Sequence, residues 1–563
     1  MRPGLRRHIA PWLRITLVGA IALGALIRFP YLDTKVYSHD ETLTSLRTSG
    51  YLEADFQNAV AAKTVTVAEL QTFQHANPLH DAGSTVRALA IDDPQHPPLY
   101  YLLDRSWDAF FGGSILARRS LGALFGLLTI PALYWLCREL LPRGASFALV
   151  ATALFAVSPF ELEYAQQARE YTLWVLLTVV SSALFVRASR TGGRFTWLAY
   201  AASLAIGMYT HAFFALVIAA HAVTTLYLTI TRQTVNWRAF LLSVLAAGFA
   251  YAPWVQTIIH NRQTVEATNT WFAAAVPAPV YLYKWLFNVG SVFFDAEFAN
   301  MLFSIALLPL AVLVAWSLYV LSRTDDRRLG AFVLALFSAT AIPLLVLDIL
   351  LHQSRATAGR YLVPAYVAIN LAVAYWLALW LCDGRARARV ASALTCLLLF
   401  MGIVSWGVSA RATSWYTASS DAPVLPIARE ITKRPDALIL TNDSDLALQL
   451  SNYLRPTDRF IITSSATTQF LHAQRANRYL IEPSAKLCAS IARDPNVTVS
   501  LAYEPPFTDS PMLHMSFMSA PVLRAAFSSL RRRMIAIHGD LTGQFRLWVV
   551  DVAREHHVRT RCQ

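Results

Sequence analysis

The stretch "ITLVGAIALGALIRFPYLDTKVYSHDETLTS", residues 15–45, passes from an apolar run into an acid pair, Asp40-Glu41, with His39 directly before it. Residues 11–30 are long and apolar enough to cross a hydrocarbon core, which takes about 20 residues. Arg2, Arg6 and Arg7 precede the run, and Arg28, Phe29 and Pro30 follow it where a small-x-small cleavage site would otherwise stand. That pattern reads as a retained signal anchor. The two carboxylates therefore emerge just beyond a membrane, where a solvated loop, a metal site and a catalytic base are all open readings.

The rest of the chain repeats the character of that first run. Of its 563 residues 55% are hydrophobic and only 15% are charged, with a mean hydropathy of +0.41, whereas a soluble domain carries about 25% charged residues. This is the composition of a polytopic membrane protein. Further spans fall near 117–137, 145–160, 170–188, 195–210, 212–230, 238–257, 299–321, 330–351, 362–381 and 390–409, eleven with the anchor. Residues 97–111, "PPLYYLLDRSWDAFF", are apolar but short and hold Asp104 and Arg105, so they read as an interfacial or re-entrant helix. With the N-terminus inside, the inner connections collect Arg138, Arg143, Arg187, Arg190, Arg194, Arg232, Arg238, Arg323, Arg327, Arg328, Arg385, Arg387 and Arg389, as the positive-inside rule requires. A twelfth span at 97–111 would invert every later loop. Orientation and anionic lipid account for the net charge of +13, and no nucleic-acid partner is expected.

The outer side then receives the loop 31–116, the connection at 158–170, the turn at 352–361 and a tail from about 411. The tail alternates strand-like runs ("DALILTN", "RFIIT", "VTVSLAY", "RMIAIHG", "FRLWVVDV") with a helical pattern, "SDLALQLSNYL". The expected fold is an α-helical membrane domain, 1–410, and an extracytoplasmic α/β domain, 411–563. Cys137, Cys382 and Cys396 lie in or beside apolar segments as small core residues. Cys488 and Cys562 are the two that a tail disulfide would use.

Ionisable groups at membrane depth are functional candidates by default, and four clusters gather on the outer face. They are His39-Asp40-Glu41; Asp92, Asp93 and His96 in "IDDPQHPPLYYLL", with Tyr100; Glu161, Glu163, Arg169 and Glu170 in "SPFELEYAQQAREYTLW"; and Arg355 and Arg360 in "HQSRATAGRYLVPAY". Tyr209, His211, Arg262 and Lys284 lie on the same side. Each has a plainer reading: a solvated pair, a turn before Pro97-Pro98, a helix cap, or an arginine reaching for headgroups. Together, carboxylates and arginines suit a reaction that takes a proton from one substrate and leaves an anion on another. A carboxylate serves as general base, and the arginine fork matches phosphate oxygens.

The acid pair after the first span, "HPPLYY", "SPF…EYAQQAREY", "YTHAFF" and "GRYLVPAY" occur in one order over residues 10–410. In that order they resemble the C-type glycosyltransferase superfamily, and within it glycosyltransferase family 39, with the protein O-mannosyltransferases and the lipid A aminoarabinose transferases. The resemblance implies a polyprenyl-phosphate sugar donor and transfer on the outer face of a bacterial inner membrane to a hydroxyl of a glycolipid or polysaccharide. A protein hydroxyl is the alternative acceptor. It makes Asp40 the base, and Glu41 its neighbour in acceptor or metal contact, leaving a divalent metal open. It sets Arg169, Arg360 and Tyr361 toward the donor phosphate, with His39, Asp93, His96, Tyr100, Glu163, Gln167, His211 and Lys284 lining the cavity. Family members often carry Gln-Glu-Ala-Arg where this chain has Gln166-Gln167-Ala168-Arg169, which puts metal or acceptor contact through Gln167 in doubt. A lipid-linked-sugar flippase or a non-catalytic assembly protein are readings from other classes.

Overall fold

The computed structural model describes residues 9–76, 78–268, 276–295, 301–415, 420–463, 477–481, 497–503 and 547–552. The chain divides into two compact units, Met1–Leu32 with Val86–Arg411, and Asp33–Thr85 with Ala412–Gln563.

The first unit is a helical bundle in which every apolar segment read from the sequence is helical. Among the described residues six helices are long and apolar enough to cross a membrane: Ile115–Leu140, Tyr171–Thr191, Trp237–His260, Arg327–Leu351, Gly359–Leu381 and Arg385–Ser409. The pair Ala145–Ala156 and Pro159–Ala165, bent by 56°, is apolar and long enough only when taken together. Pro11–Leu26, Phe214–Ile230 and Ala306–Ser322 are shorter apolar helices, and Arg194–Thr210 has 17 residues. The chain is a multi-pass membrane protein. Gly359–Leu381 is the bundle's inner helix, 94% buried across its apolar window.

The break at Ser158-Pro159 follows from the proline, which has no N–H to donate and holds the residue before it extended. Two glycines grip the break. A Cβ on Gly24 would stand 2.3 Å from the Ala156 carbonyl oxygen, and one on Gly402 would stand 2.4 Å from that of Val157. Helix Leu99–Phe111 has 13 residues, about 20 Å at 1.5 Å per residue, short of a crossing. Its inner face is fixed by charge: Asp104 lies 2.7 Å and Asp108 3.2 Å from the Arg118 guanidinium, all buried. Phe110 and Phe111 are exposed at its end.

The second unit is built around a mixed sheet in the order β1-β3-β2-β4-β6-β5. The strands are β1 (Thr64–Thr66), β2 (Ala437–Thr441), β3 (Arg459–Ile462), β4 (Asn477–Ile481), β5 (Val497–Tyr503) and β6 (Leu547–Val552). β2 runs parallel to β3 and β4, while β1–β3, β4–β6 and β5–β6 are antiparallel. "SDLALQLSNYL" supplies the helix Ser444–Leu450; "RMIAIHG", Cys488 and Cys562 lie outside the described residues. The division departs from the sequence reading at one place. Residues 33–85, counted there with the membrane domain, belong to the second unit. The cause is burial: Val36, Leu46, Phe56, Val60, Val67 and Leu70 share one core with Ile427, Ile439, Leu446 and Phe460. Strand β1 also completes an edge of the sheet, with Val65 opposite Phe460.

Candidate functional site

In the first unit a charged and aromatic group forms where three connections meet. The turn before Pro97 is closed by His96 N–H donating to the Asp93 carbonyl, 3.0 Å, and held by Trp254 Nε1 donating to Pro94 O, 3.1 Å. His96 Nδ1 then lies 2.8 Å from Asp93 Oδ1 and its Nε2 3.4 Å from Glu170 Oε1. Arg169 closes the group, with Nε 3.4 Å from Glu170 Oε2 and Nη2 3.5 Å from His96 Nε2. Glu170 is fully buried and Arg169 nearly so. A carboxylate taken out of water needs such partners, and in return it fixes the plane of the guanidinium. Tyr100 is buried one position before Tyr101, whose ring stands 6.5 Å from His96.

Aromatic rings carry the group across to Arg360. His211 caps helix Arg194–Thr210 and stacks on Trp174 with centroids 4.0 Å apart and planes 4° from parallel. His96 meets His211 edge-on at 6.5 Å. Phe213 follows at 5.5 Å from His211, then Tyr361 at 5.1 Å from Phe213, and Arg360 lies over the Tyr361 ring. Arg169 and Arg360 both act electrostatically on Tyr171 and His211.

The Arg360 stretch is two short 3-10 turns, Arg355–Thr357 and Gly359–Leu362. Buried Asp348, near the end of Arg327–Leu351, organises them. Its Oδ1 accepts from Arg355 N (2.9 Å), and its Oδ2 from Ala356 N (2.7 Å) and Tyr281 OH (2.9 Å). Asn288 Nδ2 donates to Thr357 O, 3.0 Å. Lys284 is on the same helix as Asn288, Ala278–Gly290.

Glu163 and Gln167 pair with each other, Gln167 Nε2 donating to Glu163 Oε1 at 3.3 Å. Gln166 has a structural role: its Nε2 reaches the carbonyls of Ile27, Arg28 and Pro30 and closes the end of the first helix.

His39, Asp40 and Glu41 lie in the second unit, in the first turn of helix His39–Thr48. Glu41 is buried, and its Oε2 accepts from both Ser38 N (2.9 Å) and Ser38 Oγ (3.1 Å) while Ser38 Oγ accepts from Glu41 N. This is a capping box, so the Glu41 carboxylate is engaged in holding the helix start. Asp40 is half-buried. Its neighbour His39 meets Asp445 Oδ2 at 3.5 Å, and His39 N donates to Asp421 Oδ2, 3.3 Å. Gln449 Nε2 ties Asp421 Oδ1 (3.1 Å) to the Tyr37 carbonyl (2.9 Å). Burial alone would lower the His39 pKa, but the hydrogen bond to Asp445 and the charges of Asp40, Asp445 and Asp421 raise it to about 9. Burial pushes Asp421 up to about 6 against the pull of Gln449 and His39.

The structure thus brings Asp93, His96, Arg169, His211, Arg360 and Tyr361 into one group, and gives His39 carboxylate partners from the tail. Sequence reasoning passed over Trp174, Asp348, Asn288, Asp421 and Asp445. Among the described residues no three His, Cys, Asp or Glu side chains converge as a metal requires, so no step is routed through one.

The family described as dolichyl-phosphate-mannose-protein mannosyltransferase matches residues 95–256, from the His96 turn through helix Trp237–His260. No curated protein matches the chain by sequence. Among solved structures, ArnT from Cupriavidus metallidurans bound to undecaprenyl phosphate is similar over 96% of this chain and 98% of that one, with 14% identity and a TM-score of 0.54. The same protein in its apo state is similar over 87% and 96%, with 14% identity and a TM-score of 0.53. The helical bundle and these likenesses agree: the chain shares the fold of ArnT, and its residues 95–256 resemble the mannosyltransferase family.

Proposed function

We propose that the chain is an inverting glycosyltransferase that moves a sugar from a polyprenyl-phosphate donor to a hydroxyl of a glycolipid or polysaccharide on the outer face of the membrane. The observation that carries the reading is the group around Arg169: a buried arginine oriented by Glu170 and His96, joined through His211, Phe213 and Tyr361 to Arg360. Two guanidinium groups among aromatic rings suit a phosphate attached to a sugar and a lipid. The fold shared with a protein solved with undecaprenyl phosphate supports the same donor class.

In this reading Asp40 accepts the proton of the acceptor hydroxyl as its oxygen bonds to the anomeric carbon. The bond from that carbon to the phosphate oxygen breaks, and its electron pair leaves with the phosphate. A single displacement inverts the configuration through an oxocarbenium-like transition state. The leaving group is already an anion and needs no general acid. Arg169 and Arg360 stabilise the charge that develops on it. Glu41 fixes the helix that presents Asp40.

Asp40→Asn is the test. The variant should insert and fold as the parent does and lose transfer from a polyprenyl-phosphate sugar by at least about 100-fold. Transfer at the parental rate would remove Asp40 from the role of base.

A further inference from the structure

A second polar feature of the first unit lies at the opposite ends of these helices. Helix Tyr171–Thr191 spans the distance: Tyr171, beside Arg169, begins it, and Arg190 stands in its last turn, about 30 Å away at 1.5 Å per residue. There a cavity of about 890 Å³ opens between the end of helix Ile115–Leu140, the connection Arg323–Arg328 and the last turns of helix Val363–Leu381. Arg143, Arg190, Arg323, Arg327 and Arg328 line it, against two carboxylates, Asp325 and Asp326.

Those carboxylates leave the arginines unneutralised. Asp326 caps the next helix, its Oδ1 accepting from Leu329 N at 3.1 Å. Arg190 is already held by Glu139, 3.3 Å from Oε2. Among the described residues no carboxylate comes within ion-pair distance of Arg143, Arg323, Arg327 or Arg328. Arg328 donates through Nη2 to Thr234 O at 2.9 Å, and its Nη1 is buried with no hydrogen-bond partner among the described residues. A buried donor without an acceptor is costly, and like charges this close repel unless an anion sits among them. The opposite wall is apolar, with Leu140, Leu141, Val320 and Leu379.

We infer that this cavity is a binding site for a phosphate-bearing anion, and that its occupant is the headgroup of an anionic phospholipid. The arginine fork matches phosphate oxygens. The apolar wall suits the glycerol and first methylenes of a lipid, and basic pockets between membrane helices take such headgroups. A soluble phosphate has the same polar chemistry and no use for that wall. The site does not depend on the activity proposed above.

Binding of dioctanoyl-phosphatidylglycerol to the full-length, delipidated protein in detergent tests the inference, with dioctanoyl-phosphatidylcholine and inorganic phosphate as parallel probes. The phosphatidylglycerol should bind at least about 5-fold tighter than the phosphatidylcholine, on the order of one basic contact's difference. Arg143→Gln with Arg327→Gln, both exposed positions, should weaken it about 30-fold, two such contacts. Asp325→Asn removes an opposing charge and should tighten it, a gain that a folding defect cannot mimic. Equal binding of the two lipids, or phosphatidylglycerol binding indifferent to all three substitutions, overturns the site. Inorganic phosphate that binds with the same arginine dependence while phosphatidylglycerol does not would overturn the lipid assignment.

Discussion

Asp40 and Glu41 are neighbours in sequence with different work to do. Glu41 is buried and accepts two hydrogen bonds from Ser38, whereas Asp40 is half-buried beside His39. Glu41→Ala should therefore lower the thermal midpoint, because it strands Ser38 N and empties a buried volume; caps and buried acceptors are each worth about 1–2 kcal/mol. Glu41→Gln keeps an acceptor and should recover most of that midpoint together with activity, and a glutamine variant as inactive as Asp40→Asn would return Glu41 to the chemistry. The cap was legible in the sequence, since Ser38-His39-Asp40-Glu41 is the Ser-x-x-Glu signature; it was hidden behind the more conspicuous acid pair. His39's partners were not legible, because Asp421 and Asp445 are brought to it only by the fold. Its folded pKa of about 9 lies above the ordinary value near 6.5. Protonated His39 thus contributes stability that is full below pH 6.5 and lost as the pH rises through about 9. With 45% of its side chain exposed, solvent screens the pair and keeps the effect small. The midpoint difference between parent and His39→Gln should be larger at pH 6 than at pH 9.5, and an equal difference at both would take the charge out of the contact.

At the scale of elements, the spans were readable because some 20 apolar residues have no other soluble use, whereas the break at 158 falls inside the single span read over 145–160, although Pro159 was its available signal. The two turns that carry Arg360 are a different case. They have no periodicity of their own, and Asp348 holds them through two backbone N–H groups and the Tyr281 hydroxyl. A lone aspartate in the last turn of "RRLGAFVLALFSATAIPLLVLDILL" was the available signal, since a carboxylate at that depth needs partners. Asp348→Ala should loosen the stretch that positions Arg360 without touching substrate. Hydrogen bonds to a charged acceptor contribute about 1.5–3 kcal/mol each, so loss of one productive orientation corresponds to a KM for the donor raised about 10-fold or more. The maximal rate should change less. A fall in kcat at unchanged KM would place Asp348 in the chemistry. Strand β1 lay beyond sequence reading for another reason: three residues, Thr64–Thr66, carry no alternation to detect, and their partner Arg459–Ile462 is supplied from the far end of the chain.

For the whole molecule, that distant pairing constrains the membrane topology. Thr64 opposite Ile461 and Thr66 opposite Arg459 belong to one sheet, so residues 64–66 and 459–462 must stand on the same side of the membrane. The chain between them must then cross an even number of times. Ten helical segments of the first unit fit that condition: the six long helices, the broken pair, Phe214–Ile230, Ala306–Ser322 and Arg194–Thr210. Adding Leu99–Phe111 as a crossing makes the number odd and would tear β1 from β3. The pairing fixes parity alone, an even number of crossings, and that is the parity the eleven-span reading from loop charge requires. Single cysteines at exposed Lys63 and at exposed Arg434, in a chain freed of its own cysteines, should react with an impermeant maleimide from the same side. A cysteine at Arg387, in the first turn of the last helix, Arg385–Ser409, should react only after the membrane is opened. Opposite accessibility of the Lys63 and Arg434 positions would be incompatible with the β1–β3 pairing, whatever the number of spans.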